Sequence, residues 1–168
     1  ENGNMAPEHP ALNSGVAQFV AVSEEIQEKL MMEYNIESTI IRNFFDIKKL
    51  QELRPASSYP KQFLVNTNYM GKDDPEIAVI RDVAKKMGVK MAAIGMNFTQ
   101  QFDISRAIED SDVVFGMGRA VLEGVAAGRL GFVHGRWGTG GIISENNLEG
   151  LRTFNFSGRN SGGEVMTV

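Results

Sequence analysis

The segment Gly116-Met117-Gly118-Arg119-Ala120-Val121-Leu122-Glu123 gathers residue types suited to holding an anion. Two glycines permit a tight turn. A helix beginning just after them aims its free N–H groups and positive end at whatever lies in front. Arg119, in the first turn, adds charge-assisted bonds to phosphate. Glu123 falls one turn further on, where a carboxylate can accept two ribose hydroxyls. The run from His134 to Gly141 is a second candidate. Its amides can meet phosphate or sugar hydroxyls, Trp137 can stack on a ring, and His134 with Arg136 supplies positive charge. Each has a plainer alternative: a strand–helix turn with a solvated Glu123, and a glycine-rich surface loop around Gly138. Val121 and Glu123 stand where a full dinucleotide fingerprint has glycines. The stretch about 20 residues on, where such a fold needs an acid, is Gly138 to Gly141, so a nicotinamide enzyme ranks last.

The elements that must position these residues are readable from apolar periodicity. Phe63 to Val65, Val89 to Ile94, Val113 to Phe115 and Gly131 to Val133 are short apolar runs. Helical patterns alternate with them. Pro75 opens one, with Ile77, Ile80, Val83, Ala84 and Met87 on a single face and Gly88 as its stop. A short helix is predicted around Ile104 to Ile108, another over Ala120–Ala127 and a last over Glu145–Arg152. Upstream, Phe19 to Val22 precedes a helix capped by Ser23 and ended by Asn35, and Thr39 to Ile41 follows. This alternation predicts an α/β fold, a parallel sheet with helices on both faces and right-handed crossovers. Ligands on such sheets bind beyond the carboxyl ends of the strands. Gly95, Gly116, Gly118 and the run from Gly135 fall there. The expected divisions are a tail over 1–16, a crossover and linker over 17–60, the main domain over 61–154 and a tail over 155–168.

Composition narrows the chemistry. The chain has 168 residues and no cysteine, which excludes disulfides, thiolate metal sites and a cysteine nucleophile. A net charge of −4 gives no global field for nucleic acid. Two histidines argue against a histidine metal site, and no metal or cofactor is expected. Asp73, Asp74, Asp110 and Asp112 are expected to cap helices or be solvated rather than to chelate. The nine methionines are expected to fill gaps in the core. No apolar run reaches the length of a membrane span. A start at Glu1 suggests a fragment.

Residues Asp112 to Gly128 resemble the donor-nucleotide motif of retaining GT-B glycosyltransferases of the group 1 type (glycosyltransferase family 4). There, two glutamates separated by seven residues precede a small-residue helix and a glycine. Glu123 matches the second, which binds the donor ribose in that family. The first, which contacts the donor sugar, falls at Phe115. The similarity extends loosely over Ala17 to Leu151. Phe19 to Ser23 and Ile40 to Asp46 are similar to the interdomain crossover, and Gly95 matches a glycine after the second strand. Lys72 matches a diphosphate lysine, while Thr67 stands where the partner arginine is usual. The loop holding His134 and Gly138 would face the donor. The resemblance implies a Rossmann-like half of a GT-B enzyme, binding a UDP-sugar or GDP-sugar through Lys72, Gly95, Gly116, Gly118, Arg119, Glu123, His134 and Gly138. It implies a separate N-terminal acceptor domain, a carbohydrate or lipid-linked acceptor in polysaccharide biosynthesis, and a cytoplasmic location or the inner face of the membrane. Alone, the chain would bind nucleotide without transferring sugar. Phe115 and Thr67 favour a second reading, a non-catalytic scaffold that kept the fold.

Overall fold

The computed structural model describes residues 15, 18–51, 53–100, 103–135 and 137–159. They fall into two units divided between Ile41 and Arg42. Arg136 and nearly all of the tail read over 1–16 lie outside the described residues.

The first unit is β1 (Phe19–Ala21), α1 (Glu24–Tyr34) and β2 (Ser38–Ile40), its strands paired in parallel. The Ser23 hydroxyl accepts the Ile26 amide at 3.4 Å, as the sequence predicts. Asn35 ends the helix in the left-handed region at φ 52°. No α1 residue is fully buried: Ile26, Leu30 and Tyr34 are partly covered and Met31 is exposed.

The second unit carries the sheet. It comprises α2 (Ile47–Gln51), β3 (Gln62–Asn66), α3 (Pro75–Met87), β4 (Lys90–Ile94), α4 (Ser105–Asp110), β5 (Val113–Gly116), α5 (Arg119–Ala126), β6 (Leu130–Gly135), β7 (Gly138–Ile142) and α6 (Leu148–Thr153). The strand order is β4-β3-β5-β6-β7, with the first four parallel and β7 antiparallel. Side chains alternate across the central strands. Phe63, Val65 and Phe115 pack with Ile77, Ile80 and Ala84 of α3 on one face. Leu64 and Val114 pack on the other with Leu50 of α2, Ile108 of α4 and Ala127. Val121 of α5 and Leu151 of α6 cover Val133. This is a Rossmann-like α/β layer arrangement with helices on both faces, as the alternation predicts.

Three boundaries differ from the sequence reading. The glycine-rich run from Gly135 to Gly141 is mostly a strand: β7 pairs with β6 in a hairpin with a register shift between Val133 and His134. Gly140 is small because the Leu151 side chain occupies the space a Cβ would need. The segment read as a linker to residue 60 belongs with the sheet, because Leu50 is buried in its core and Asp112 ties down Ser57, Lys61 and Gln62. Asp112 is therefore neither a simple cap nor solvated. Residues 155–159, read as the start of a tail, include buried Phe156 and Ser157.

Candidate ligand-binding site

The chain leaves β3 through α3 toward β4 on one side, and leaves β5 through α5 toward β6 on the other. The gap between the carboxyl ends of β3 and β5 is thus the topological switch point. A cavity of about 190 Å³ opens there, lined by Asn66 at the end of β3, by Thr67, Asn68 and Tyr69 after it, and by Met117, Arg119 and Ala120 after β5. Its position follows from strand order alone, because neighbouring loops diverge at that point.

Gly118 turns the chain from β5 into α5 at φ 53° and ψ −125°, a conformation open to glycine and costly for other residues. The helix has no side-chain cap. Its first-turn amides are partly spoken for. Gly118 N–H donates to the Phe156 carbonyl at 3.0 Å and Ala120 N–H to Met117. An anion there meets fewer amides than the glycine spacing promised. Arg119 and Glu123, one turn apart, are joined by an Nε to Oε1 bond of 2.5 Å. The Arg119 side chain is 63% exposed and that of Glu123 only 7%. Glu123 and Arg119 wall a second cavity of about 140 Å³, with Asp46 and Lys49 near α2 and Asp103 before α4. Lys49 holds Asp103 at 2.7 Å, and this bond with the Ser105 amide pulls the Asp103 carboxyl down to about 2. A third cavity, of about 250 Å³, adjoins Gly118 and Arg119 and is walled by Tyr69, Trp137, Asn155, Ser157 and Arg159. Arg119 thus borders all three.

The other expected site residues are scattered. Gly116 and Gly138 are buried in strand ends. Gly95, at φ 129°, leaves only 1.8 Å between its would-be Cβ and the Thr67 carbonyl oxygen, which makes it a packing glycine. Lys72 is exposed in the turn before α3 and lines none of the three cavities. His134 is 1% exposed and also lines none of them; burial lowers its pKa, against the pull of Glu76. Thr67 is buried, its hydroxyl accepting the Tyr69 and Met70 amides at 3.2 and 3.3 Å. Phe115 lies within β5 with its ring 5.2 Å from both Phe63 and Phe132. A side chain at that register points into the core. No group of three or more acidic or histidine side chains able to hold a metal occurs among the described residues. The sequence reading missed Asn66, Asn68, Tyr69 and Lys49. The first three directly follow an apolar run at a strand's carboxyl end, and that placement was the available signal.

No family profile matches the chain, and no curated protein or solved structure matches it at a significant level.

Proposed function

We propose that the chain is the donor-binding half of a retaining GT-B glycosyltransferase, holding a UDP-sugar or GDP-sugar at the carboxyl edge of its sheet. One observation carries this reading. Glu123 is a carboxylate almost wholly withdrawn from solvent, at a cavity wall one turn inside the helix that starts at the switch point. Burying a charge is costly unless it is paired or used. Arg119 satisfies one oxygen, and the second would accept ribose hydroxyls. Arg119 keeps its other guanidinium nitrogens for the diphosphate, and its charge would stabilise the developing negative charge on the leaving group. Lys72 is not required for this arrangement.

The two-stranded parallel sheet of the first unit supports a further domain. Parallel strands are ordinarily buried on both faces within larger sheets, and a pair alone is marginal. An N-terminal acceptor domain extending β1 and β2 would cover them, and would bring the carbohydrate or lipid-linked acceptor. Transfer would take place in the cytoplasm or at the inner face of its membrane; no described helix is long and apolar enough to cross one.

The core position of Phe115 favours a second reading, a binding module that holds nucleotide without catalysing transfer. Calorimetry with UDP, GDP and their sugars separates the cases. The donor-binding reading expects heat with at least one nucleotide and a loss of about tenfold in affinity on Glu123→Gln, the size of one charge-assisted bond. Absence of heat with every nucleotide, together with an indifferent Glu123→Gln protein, would end it. Sugar transfer by the full-length protein, abolished by the same substitution, would dismiss the non-catalytic module.

A further inference from the structure

We propose that the base held beside Glu123 is guanine, recognised by Asp46 and Lys49. The choice of base rests on the donor-binding reading and narrows the donor from a UDP-sugar or GDP-sugar to a GDP-sugar. With the ribose on Glu123, the base must enter the same cavity, because the two are directly joined. Glu123 and Arg119 of α5 form one wall of it. The other walls come from α2 with the two residues before it, and from the segment that leads into α4. Part of that lining is apolar. Phe45 packs against the core cluster that holds Leu50, and both line the cavity together with Ile104. A flat heterocycle stacks on such a surface whatever its identity, so the polar groups must choose the base.

Those groups are unequal. Asp103 is saturated: Oδ2 accepts the Lys49 ammonium at 2.7 Å and Oδ1 the Ser105 amide at 3.0 Å. Asp46 has acceptor capacity left. A carboxylate has room for about four hydrogens, and the described residues give Asp46 one, the Lys48 amide on Oδ1 at 3.0 Å. Lys49 carries three donors and gives one to Asp103. Asp46 and Lys49 stand three residues apart, which sets them on the same side of the first turn of α2, and both line the cavity. The base therefore meets a carboxylate beside an ammonium. Guanine alone among the common bases offers two adjacent donors, N1–H and the 2-amino group, next to an acceptor, O6. The carboxylate accepts the two donors side by side, and the ammonium donates to O6. Uracil brings a single donor between two carbonyl oxygens, which a carboxylate repels. Adenine brings an amino group beside a ring nitrogen that also repels it, and no carbonyl for the ammonium.

The intact chain is titrated by calorimetry with GDP, IDP, UDP and ADP. IDP is GDP without the 2-amino group. GDP is expected to bind at least about tenfold tighter than each of the others, the worth of one charge-assisted bond. Asp46→Asn keeps an oxygen for the Lys48 amide, and its melting temperature checks the fold. It should weaken GDP by about tenfold and IDP by less, because only GDP loses the bond to the 2-amino group. Glu123→Gln acts on the ribose, so it should weaken GDP and UDP by the same factor. Equal binding of GDP and IDP, tighter binding of UDP or ADP, or an Asp46→Asn protein that keeps the full preference for GDP would overturn the guanine assignment. A chain selective for UDP loses that assignment and keeps the donor-binding reading. A chain that selects GDP through Asp46 yet ignores Glu123→Gln keeps the guanine pocket and loses the ribose contact on which the donor-binding reading stands. Silence with all four nucleotides ends both.

Discussion

The two ends of the sheet are built to opposite rules. At the amino end, Asp112 is buried and saturated: its oxygens accept the amides of Ser57, Lys61 and Gln62 at 2.8 to 3.2 Å, and Arg54 approaches to 3.5 Å. Burial pushes that carboxyl up, but the Ser57, Lys61 and Gln62 amides outweigh it and hold it at about 2. At the carboxyl end, three cavities meet at Arg119, α5 has no side-chain cap, and two adjacent residues hold strained φ. One edge spends its polar groups on holding the chain together. The other lines three cavities with polar groups, the arrangement that the binding proposed for it requires. The amino end has one lapse. Arg129 is buried with Nε on the Ile108 carbonyl, while its two terminal nitrogens lack hydrogen-bond partners among the described residues.

The largest expected effect breaks the amino end alone. Asp112→Ala removes the acceptor of three part-buried amides at once and should destabilise the fold by about 2 to 3 kcal/mol, from the loss of hydrogen bonds to a charged group. Denaturant midpoints measure it. The acid limb carries the same information. The folded Asp112 pKa lies below the ordinary value of 3.8, so its contribution is complete above pH 3.8 and fades as pH falls toward 2. The alanine protein should lose that part of the limb. A substitution that abolished nucleotide heat while leaving stability intact would erase the distinction between the ends.

Gly95→Ala comes next. It puts a Cβ against the Thr67 backbone, which cannot swing aside, and should cost about 2 to 3 kcal/mol as an overpacked, strained backbone site. Unaltered stability coupled with weakened nucleotide binding would return Gly95 to the site.

Gly95 also shows where the sequence speaks and where it stops. The glycine after a strand was legible, but its purpose was not, because the Thr67 carbonyl it admits lies just past a different strand, β3. The layers were legible from runs such as Phe63 to Val65 and from the Pro75-to-Gly88 helix signals, all local in origin. The β7 strand was not, since glycines carry no alternation and only the Leu151 side chain above Gly140 explains them. Arg119 and Glu123 were legible as a pair one turn apart. Their pairing with Asp103 and Lys49 around one cavity was not, since Lys49 comes from α2 and Asp103 from the segment before α4, both distant in sequence.

A smaller effect is expected from Glu123→Gln at the proposed binding edge. It removes a charge that Arg119 only half satisfies, so its stability change should stay within about 1 kcal/mol, as for a pair with one exposed partner, while nucleotide affinity falls as given above. Destabilisation on the scale of Asp112→Ala would move Glu123 to the structural side of the comparison.

The smallest effect concerns His134, which lies toward the binding edge yet is sealed like the structural one. Neither ring nitrogen has a hydrogen-bond partner among the described residues, and burial holds its pKa below 6.5. As pH falls through 6.5, the unfolded chain takes up a proton that the folded chain refuses, so stability drops. His134→Leu removes this slope and relieves two unsatisfied nitrogens at little change in volume. The leucine protein should exceed the parent already near pH 7.5, and its lead should widen by about 1 kcal/mol near pH 5.5, the worth of one pH unit of linkage. Denaturant midpoints at the two pH values decide it. Parallel decline of both proteins would show that His134 titrates normally. An unshifted midpoint with a lost ligand response would instead place this residue in the site, and the boundary between the two kinds of edge would then lie below β6's last turn toward β7.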